Sequence, residues 1–414
     1  MDKIFHQNAP KGNIRAISSK SEAHRLLICA ALGDSDCTLL CTDTNADIDA
    51  TAECLNALGA KIKRIEGGFS VHPIDKITKG GELECNESGS TLRFLLPLAA
   101  SLGADCSFNM KGRLPARPLS PMYELLSENG VSLTPQGSNP LKIGGRLNSG
   151  SYSIAANVSS QYISGLLFAL SVAKGESTLA LEGRVESAPY VDMTLDALRL
   201  FGANIEYDKE QSSFKIIGKS RLSSPDEVAV GGDWSNAAFF LVAGAIGKEP
   251  VKVTGLDPLS RQGDKEILSI LEKMGTDVVC NGDGITVNPS RLHGVEIDAS
   301  NIPDLVPILA VAASVAEGET KIFGASRLRL KESDRIESVS STLSTLGADI
   351  RETEDGMIIR GKDRLAGGEV DSYNDHRIAM SAAIASFVCE NAVKITRFEA
   401  VNKSYPTFAE NFCI

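Results

Sequence analysis

Nine short segments of this sequence collect residue types that bind anions and move protons. They are Lys20-Ser21-Glu22-Ala23-His24-Arg25, Ser88-Gly89-Ser90-Thr91-Leu92-Arg93, Arg117-Pro118, Ser159-Ser160-Gln161, Ser187-Ala188-Pro189-Tyr190, Pro303-Asp304, Lys331-Glu332-Ser333-Asp334-Arg335, Asn374-Asp375-His376-Arg377 and Asn402-Lys403-Ser404-Tyr405-Pro406. Lysine and arginine are donors only, and the arginine fork matches carboxylate and phosphate in two-point contacts. A phosphate carries about −1.5 to −2 at neutral pH. Lys20, Arg25, Arg93, Arg117, Lys331, Arg335, Arg377 and Lys403, gathered in one cleft, would therefore suit two highly anionic small molecules. Asp304 and Glu332 lie among them. A carboxylate and a lysine amid fixed positive charge can exchange protons with a substrate, each contributing on the order of 10²–10⁴ in rate.

Most of these segments sit where a helix should begin. Helix N-termini present free N–H groups and the positive end of the dipole. The openings are Ser18 to Arg25, Glu87 to Arg93, Asn157 to Tyr162, Asp233 to Asn236, Asn301 to Asp304 and Asn374 to Arg377. Capping alone would account for Asp233 and Ser235. It does not account for Lys20, Arg25, Arg93 and Arg377, because a cap needs an acceptor. Cations in a first turn oppose the dipole, and a bound anion is the natural compensation. A second group of loops leads into further helices: Arg113 to Pro118, Glu186 to Tyr190, and Arg327 to Arg335. The last is either a solvated charged face or, given its alternation with Leu328, Leu330 and Ile336, a partly buried one.

Composition narrows the class of ligand. The 414 residues are 43% hydrophobic and 23% charged, too long for one core of usual size, so two domains are expected. The net charge of −11 repels nucleic acid and anionic membrane. Aromatics are 5% with the single tryptophan Trp234, which argues against a stacking platform for single strands. Nine cysteines spread from Cys29 to Cys413 contain no C-x-x-C pair, so neither a zinc site nor a disulfide framework is indicated. The segment Met1 to His6 does not read as a signal peptide, and the apolar stretch Ile302 to Ala316 is broken by Pro303, Asp304 and Pro307. No Walker A sequence, dinucleotide fingerprint or metal-ligand spacing is present, so the chemistry is expected to run on side chains.

One motif recurs: an apolar helical pattern, a glycine, then two short strands. The glycines are Gly59, Gly130, Gly202, Gly275 and Gly347, at intervals of 71 to 73 residues. Each stands where a helix needs a left-handed residue before the chain turns into a strand. Such spacing indicates duplication, with each copy ordered strand, helix, strand, helix, glycine, strand, strand. A sixth copy has its last helix over Pro406 to Phe412 and would take its missing strands from residues 3 to 17. Six copies grouped in threes give two similar α/β domains, residues 19–231 and residues 1–18 with 232–414. An open solenoid is the competing architecture, but completion by the N-terminus argues against it.

In order from residue 20 to 406, these motifs resemble those of 5-enolpyruvylshikimate-3-phosphate synthase. The resemblance implies two domains of three βαβαββ repeats about a pseudo-threefold axis, the inside-out α/β barrel of the enolpyruvyl transferases. It implies transfer of the enolpyruvyl group of phosphoenolpyruvate to the 5-hydroxyl of shikimate 3-phosphate, releasing phosphate, on the shikimate pathway to chorismate and the aromatic amino acids. No metal or organic cofactor, nucleic acid or membrane is implied, and a cytoplasmic monomer is expected. By position, Lys20, Ser21, Arg25, Ser159, Ser160, Gln161, Ser187, Tyr190, Asp304 and Lys331 resemble the shikimate 3-phosphate site. Lys20, Gly89, Arg117, Gln161, Arg335, His376, Arg377 and Lys403 resemble the phosphoenolpyruvate site, and Arg93 an additional electrostatic member. Asp304 resembles the base that takes the hydroxyl proton. Glu332 and Lys20 resemble the proton donors, with Lys403 beside them in the catalytic set, in an addition and elimination through a tetrahedral intermediate.

Two positions depart from the family pattern. Glu87-Ser88-Gly89 stands where Asn-Ala-Gly or Asn-Ser-Gly is usual, and His24 where Asn is commoner. An extra carboxylate there would either repel an anion or turn away from it. Two other functions are weighed. The sister enzyme UDP-N-acetylglucosamine enolpyruvyl transferase carries a cysteine in the loop before its Arg-Pro pair, and residues 109–118 contain none. A non-catalytic anion binder would have no need of Asp304, Glu332, Lys20 and Lys403 together.

Overall fold

The glycine repeat is a backbone feature. Gly59, Gly130, Gly202, Gly275 and Gly347 have φ of +118°, +87°, +69°, +96° and +97°. An L side chain is strained there, and at Gly59 a Cβ would also lie 2.3 Å from the Lys76 carbonyl oxygen. The computed structural model describes residues 1–7, 10 and 12–412, so Cys413 lies outside them. The chain divides into two compact units, Ser18–Val230, and Met1–Ile17 with Gly231–Ile414.

The clearest copy runs from strand Ser151–Ala155 through helix Ser160–Val172, strand Gly175–Glu182 and helix Ala188–Leu200 to the hairpin Asn204–Asp208 and Ser213–Gly218. Its first two strands are parallel, and the hairpin adds antiparallel with its second strand innermost. The copies around helices Gly89–Leu102 and Val306–Ala313 repeat this sheet order. Two other copies borrow a first strand from elsewhere in their unit. Glu227–Ala229 pairs parallel with Cys37–Leu40, and Asn13–Arg15 with Val251–Thr254.

Against the expectation that residues 3 to 17 complete the last copy, only Lys3–Phe5 do so, antiparallel to Val393–Thr396. The following strand goes to the fourth copy instead. The helix expected over Pro406 to Phe412 is a 3₁₀ turn, Phe408–Asn411. Aromatic packing anchors that segment, with the Phe408 ring 5.2 Å from Phe240 and the Phe412 ring 5.1 Å from Phe5.

Burial separates helices from sheets. All eight residues of helix Val306–Ala313 are buried, as is Trp234–Ile246 through Ala245. Strand Gly175–Glu182 instead buries only Ser177, Leu179 and Leu181, every second residue. A helix apolar all round belongs inside and a strand with one wet face belongs outside, so each unit wraps its sheets around central helices. Close approach needs Gly165, whose Cβ would lie 2.3 Å from the Arg93 carbonyl oxygen. The C-terminal carbonyls of three such helices are capped alike: Ile74 N–H donates to Ala31 at 2.8 Å, Leu147 to Ala100 at 3.1 Å and Lys219 to Ser171 at 2.9 Å. The opposite, N-terminal ends carry the polar segments.

Among the described residues no helix is long and apolar enough to cross a membrane, and no cluster of His, Cys, Asp and Glu could hold a metal ion. Of the eight described cysteines only Cys280 is exposed. Burial pushes the Cys37 and Cys41 thiols up to about 11 and those of Cys106 and Cys389 to about 12. Thiolate is the nucleophile. Among these eight, Cys280 alone should be alkylated in the native protein at pH 8, which peptide mapping by mass spectrometry would read. Native labelling of Cys54 or Cys85 would contradict this packing.

Candidate active site

Five of the six expected helix openings are capped by their own side chains, while Asn301 to Asp304 leads into the 3₁₀ turn Pro303–Leu305 without a side-chain cap. Ser19 accepts from Glu22 N–H, Ser88 from Thr91, Ser159 from Gln161, Asp233 from Asn236 and Asp375 from Arg377. Capping by Asp233 is thus real, and the cations of these first turns stand beside the caps rather than replacing them.

In unit 18–230, Lys20 opens helix Lys20–Ala31 and donates to Asp47 at 2.9 Å. Arg25, 3% exposed, reaches the next wall. It donates to the carbonyls of Ser21 at 2.5 Å and Tyr190 at 2.8 Å and to the Thr194 hydroxyl at 2.8 Å. Burial pulls its guanidinium down to about 10. Its remaining donors suffice for one further anionic contact. Ser187, buried, holds a left-handed φ of +54° at the start of helix Ala188–Leu200, a strain that a serine adopts only where its surroundings enforce it.

Gly89, Arg93, Arg117 and Gln161 meet in the same unit. A Cβ at Gly89 would lie 2.5 Å from Arg93 Nη1 and 2.8 Å from Arg117 Nη1, so glycine is what admits both guanidiniums. Arg93 donates to Gln161 Oε1 at 3.2 Å and to the Pro118 carbonyl at 3.3 Å, while Gln161 Nε2 donates to Ser90 at 2.9 Å. Arg93 therefore orients the Gln161 amide and the Arg117-Pro118 loop. Glu87 is turned toward the 111–113 turn, its carboxylate against the Cα of Gly112.

In the other unit the charges pair directly. Asp304 receives Arg335 at 2.8 Å, Arg377 at 3.1 Å and Lys331 at 3.6 Å. Arg335, 2% exposed, also holds Glu332 at 2.7 Å and the fully buried Asp375 at 2.8 Å. Burial acts to raise the Asp304 carboxyl, but Arg377, Lys331 and Arg335 outweigh it and hold it well below the ordinary carboxylate range. His376 is buried beside Asp375, with Nδ1 3.8 Å from its carboxylate. Lys403 donates to the Asn374 carbonyl at 2.5 Å, and Tyr373 and Asn374 both take φ of +54° to turn that carbonyl into place.

The sequence-read residues thus form two groups. One holds Lys20, Ser21, Arg25, Gly89, Arg93, Arg117, Ser159, Ser160, Gln161, Ser187 and Tyr190, and the other Asp304, Lys331, Glu332, Arg335, His376, Arg377 and Lys403. Not every charge of the 327–335 run belongs to the second group. Arg327 donates to the Ser300 carbonyl and Arg329 pairs with Asp334 and Glu352, which ties loops together. Leu330 is 48% exposed rather than buried. Two residues without a sequence-stated role emerge. Asp47 holds Lys20, and Asp375 caps helix His376–Ala385 while gripping Arg335. Asn45 caps the helix that carries Asp47, but Lys20, the partner of Asp47, is 27 residues away in sequence.

Comparison with known proteins gives a consistent family. The sequence pattern of the family described as EPSP synthase (3-phosphoshikimate 1-carboxyvinyltransferase) matches residues 6–412. A 3-phosphoshikimate 1-carboxyvinyltransferase of Clostridium novyi is 42% identical over 412 residues, covering 97% of this chain and 94% of the relative. One from Clostridium acetobutylicum is 43% identical over 404 residues, covering 96% and 93%. The solved EPSP synthase of Acinetobacter baumannii superposes with a TM-score of 0.81 at 27% identity, covering 99% of this chain and 97% of that one.

Proposed function

The chain belongs to the EPSP synthase family, and from that premise we propose that it transfers the enolpyruvyl group of phosphoenolpyruvate to the 5-hydroxyl of shikimate 3-phosphate. The observation that carries the chemistry is the partly buried Asp304 carboxylate held among Arg335, Arg377 and Lys331. A carboxylate kept ionised there can accept the hydroxyl proton as the oxygen attacks C2 of phosphoenolpyruvate. A proton from Lys20 or Glu332 goes to the methylene carbon, giving a tetrahedral intermediate. That carbon then returns its proton to the group that gave it, the bond to the phosphate oxygen breaks, and the departing phosphate takes up a proton equivalent to the one removed from the hydroxyl, giving product and inorganic phosphate. Atoms and charge balance without a redox partner.

Ser21, Arg25, Ser159, Ser160, Gln161, Ser187, Tyr190 and Lys331 are assigned to shikimate 3-phosphate, with Lys20 and Asp304 reaching it. Lys20, Gly89, Arg117, Gln161, Arg335, His376, Arg377 and Lys403 are assigned to phosphoenolpyruvate. Residues 18–230 thus carry most of the acceptor contacts, the donor contacts divide four and four, and the other unit carries most of the proton-transfer groups. Fixing an alkene and a hydroxyl at contact distance is worth several kcal/mol in favourable cases, about 7–11 at most, and arginines on the phosphate stabilise charge as it leaves. The reading further places the enzyme in the cytoplasm as a monomer, which sedimentation would check.

The direct test mixes the protein with both substrates and follows phosphate release. Release that needs both, and falls by about 10² or more in Lys20→Ala, supports the assignment. Release from phosphoenolpyruvate alone would overturn it. The crowding at Gly89 adds a second expectation. Gly89→Ala must displace the guanidinium ends of Arg93 and Arg117, which moves the Arg117 donors assigned to phosphoenolpyruvate while leaving the backbone in place. KM for phosphoenolpyruvate should rise about tenfold or more with KM for shikimate 3-phosphate little changed, and steady-state kinetics with each substrate varied would decide it.

A further inference from the structure

A chain of buried hydroxyls links helix Lys20–Ala31 to the cap of helix Gly89–Leu102. His24 Nδ1 lies 2.6 Å from Thr51 Oγ1, Thr51 Oγ1 lies 2.7 Å from Thr91 Oγ1, and Thr91 Oγ1 donates to Ser88 Oγ at 2.7 Å. Thr51, Thr91 and Ser88 are 0% exposed and His24 is 1% exposed. His24 Nε2 has no hydrogen-bond partner. A buried polar atom left alone calls for a reason.

Proton counting supplies one. Each threonine has a single hydroxyl proton. That of Thr91 goes to Ser88, so Thr91 must accept from Thr51, and Thr51 in turn must accept from His24. The imidazole then carries its proton on Nδ1 and leaves Nε2 as a bare lone pair. Ser88 Oγ, receiving Thr91 Oγ1–H and the Thr91 N–H at 3.3 Å, is fixed in rotamer. The N–H groups of Gly89 and Ser90, in the first turn of that helix, have no intrahelical partner and so remain available to an anion.

We infer that His24, acting through Thr51 and Thr91, is a positioning residue that holds the Ser88-Gly89 turn ready for the anionic donor. The inference rests on the transfer reading above for the identity of that donor. Its burial, with Lys20 and Arg25 nearby, keeps His24 neutral, well below the usual imidazole range, so the chain keeps one direction. The phenyl ring of Phe94, 6.4 Å away and edge-on, seats the imidazole.

The test pairs a spectroscopic reading with a kinetic one. In ¹⁵N-histidine spectra of the whole protein, His24 should show a pyrrole-like Nδ1 and a pyridine-like Nε2. Thr51→Val, equal in shape but without the hydroxyl, should raise KM for phosphoenolpyruvate about five- to tenfold, the weight of one buried hydrogen bond. It should leave KM for shikimate 3-phosphate within about twofold, and Thr51→Ser should restore the wild-type value. An Nε2–H tautomer in the wild type, or an unchanged KM for phosphoenolpyruvate in Thr51→Val, would overturn the inference. Wild-type protein that makes no product would sink the transfer reading instead, while the tautomer would still be read in the same sample.

Discussion

Asp304→Ala should lose turnover by about 10²–10⁴ and at the same time bind inorganic phosphate more tightly than the wild type. The two effects come from one geometry. Without substrate, Asp304 is the anion that Arg335, Arg377 and Lys331 share, at 2.8, 3.1 and 3.6 Å. It is therefore a competitor for any phosphate or carboxylate that needs those cations. It is also a weak base while they hold it, since opposite charge favours the ionised form. A substrate anion that draws Arg335 and Arg377 away removes that stabilisation, and the carboxylate gains basicity once both substrates are in place.

The alanine variant abolishes the base and removes one anion that competes for Arg335, Arg377 and Lys331, so calorimetry with phosphate should show higher affinity while product formation collapses. Retained turnover, or phosphate binding no tighter than wild type, would refute the shared-cation account. The pH dependence follows with its sign. Asp304 has a folded pKa below its unfolded value, so its ion pairs stabilise the fold above the unfolded carboxyl pKa of about 3.9 and are lost as pH falls toward the folded value. The wild type should lose stability below about pH 4, and Asp304→Ala should lose less over the same interval, as acid titration followed by circular dichroism would show.

The parts of this site that were legible in the sequence are those set by local backbone rules. Gly59 and its four counterparts could be found because a left-handed helix end admits little else. Ser19, Ser88, Ser159, Asp233 and Asp375 could be found because an N-cap needs a short acceptor at a fixed offset. What local rules do not carry is partner choice. The charges of Arg329 and Arg335 look alike in sequence, yet Arg329 spends its donors on Asp334 and Glu352 while Arg335, 2% exposed, spends them on Asp304, Glu332 and Asp375. Burial, which depends on the whole unit, decides between them. The N-terminal strands make the same point. Residues 3–5 and 13–15 are too short to show a period of their own, and they join two different sheets because each of those sheets lacks a strand.

Arg335→Ala should destabilise the protein by about 3–5 kcal/mol, the usual result of breaking a buried pair by removing one partner. Here one guanidinium serves three carboxylates, and Asp375 is wholly buried. Burial acts to lower the Arg335 pKa, but Asp375, Glu332 and Asp304 outweigh it and raise it, so the charge is fixed at every working pH. Its loss leaves the wholly buried Asp375 without its guanidinium and crowded by two partly buried carboxylates, and Asp375 also caps the helix that carries Arg377. For a unit of this size the melting temperature should fall by on the order of 10 °C. The deficit should also depend on pH. In the variant the folded carboxylates bind protons more readily than those of the unfolded chain, so the stability gap to the wild type should narrow as pH falls from about 7 to 5. Arg335→Lys keeps a charge but only as a compact ammonium that cannot span three acceptors. It should recover part of the stability and little of the activity. Scanning calorimetry of the three proteins at both pH values separates these expectations, and an Arg335→Ala melt matching the wild type would mean that the three carboxylates find other partners.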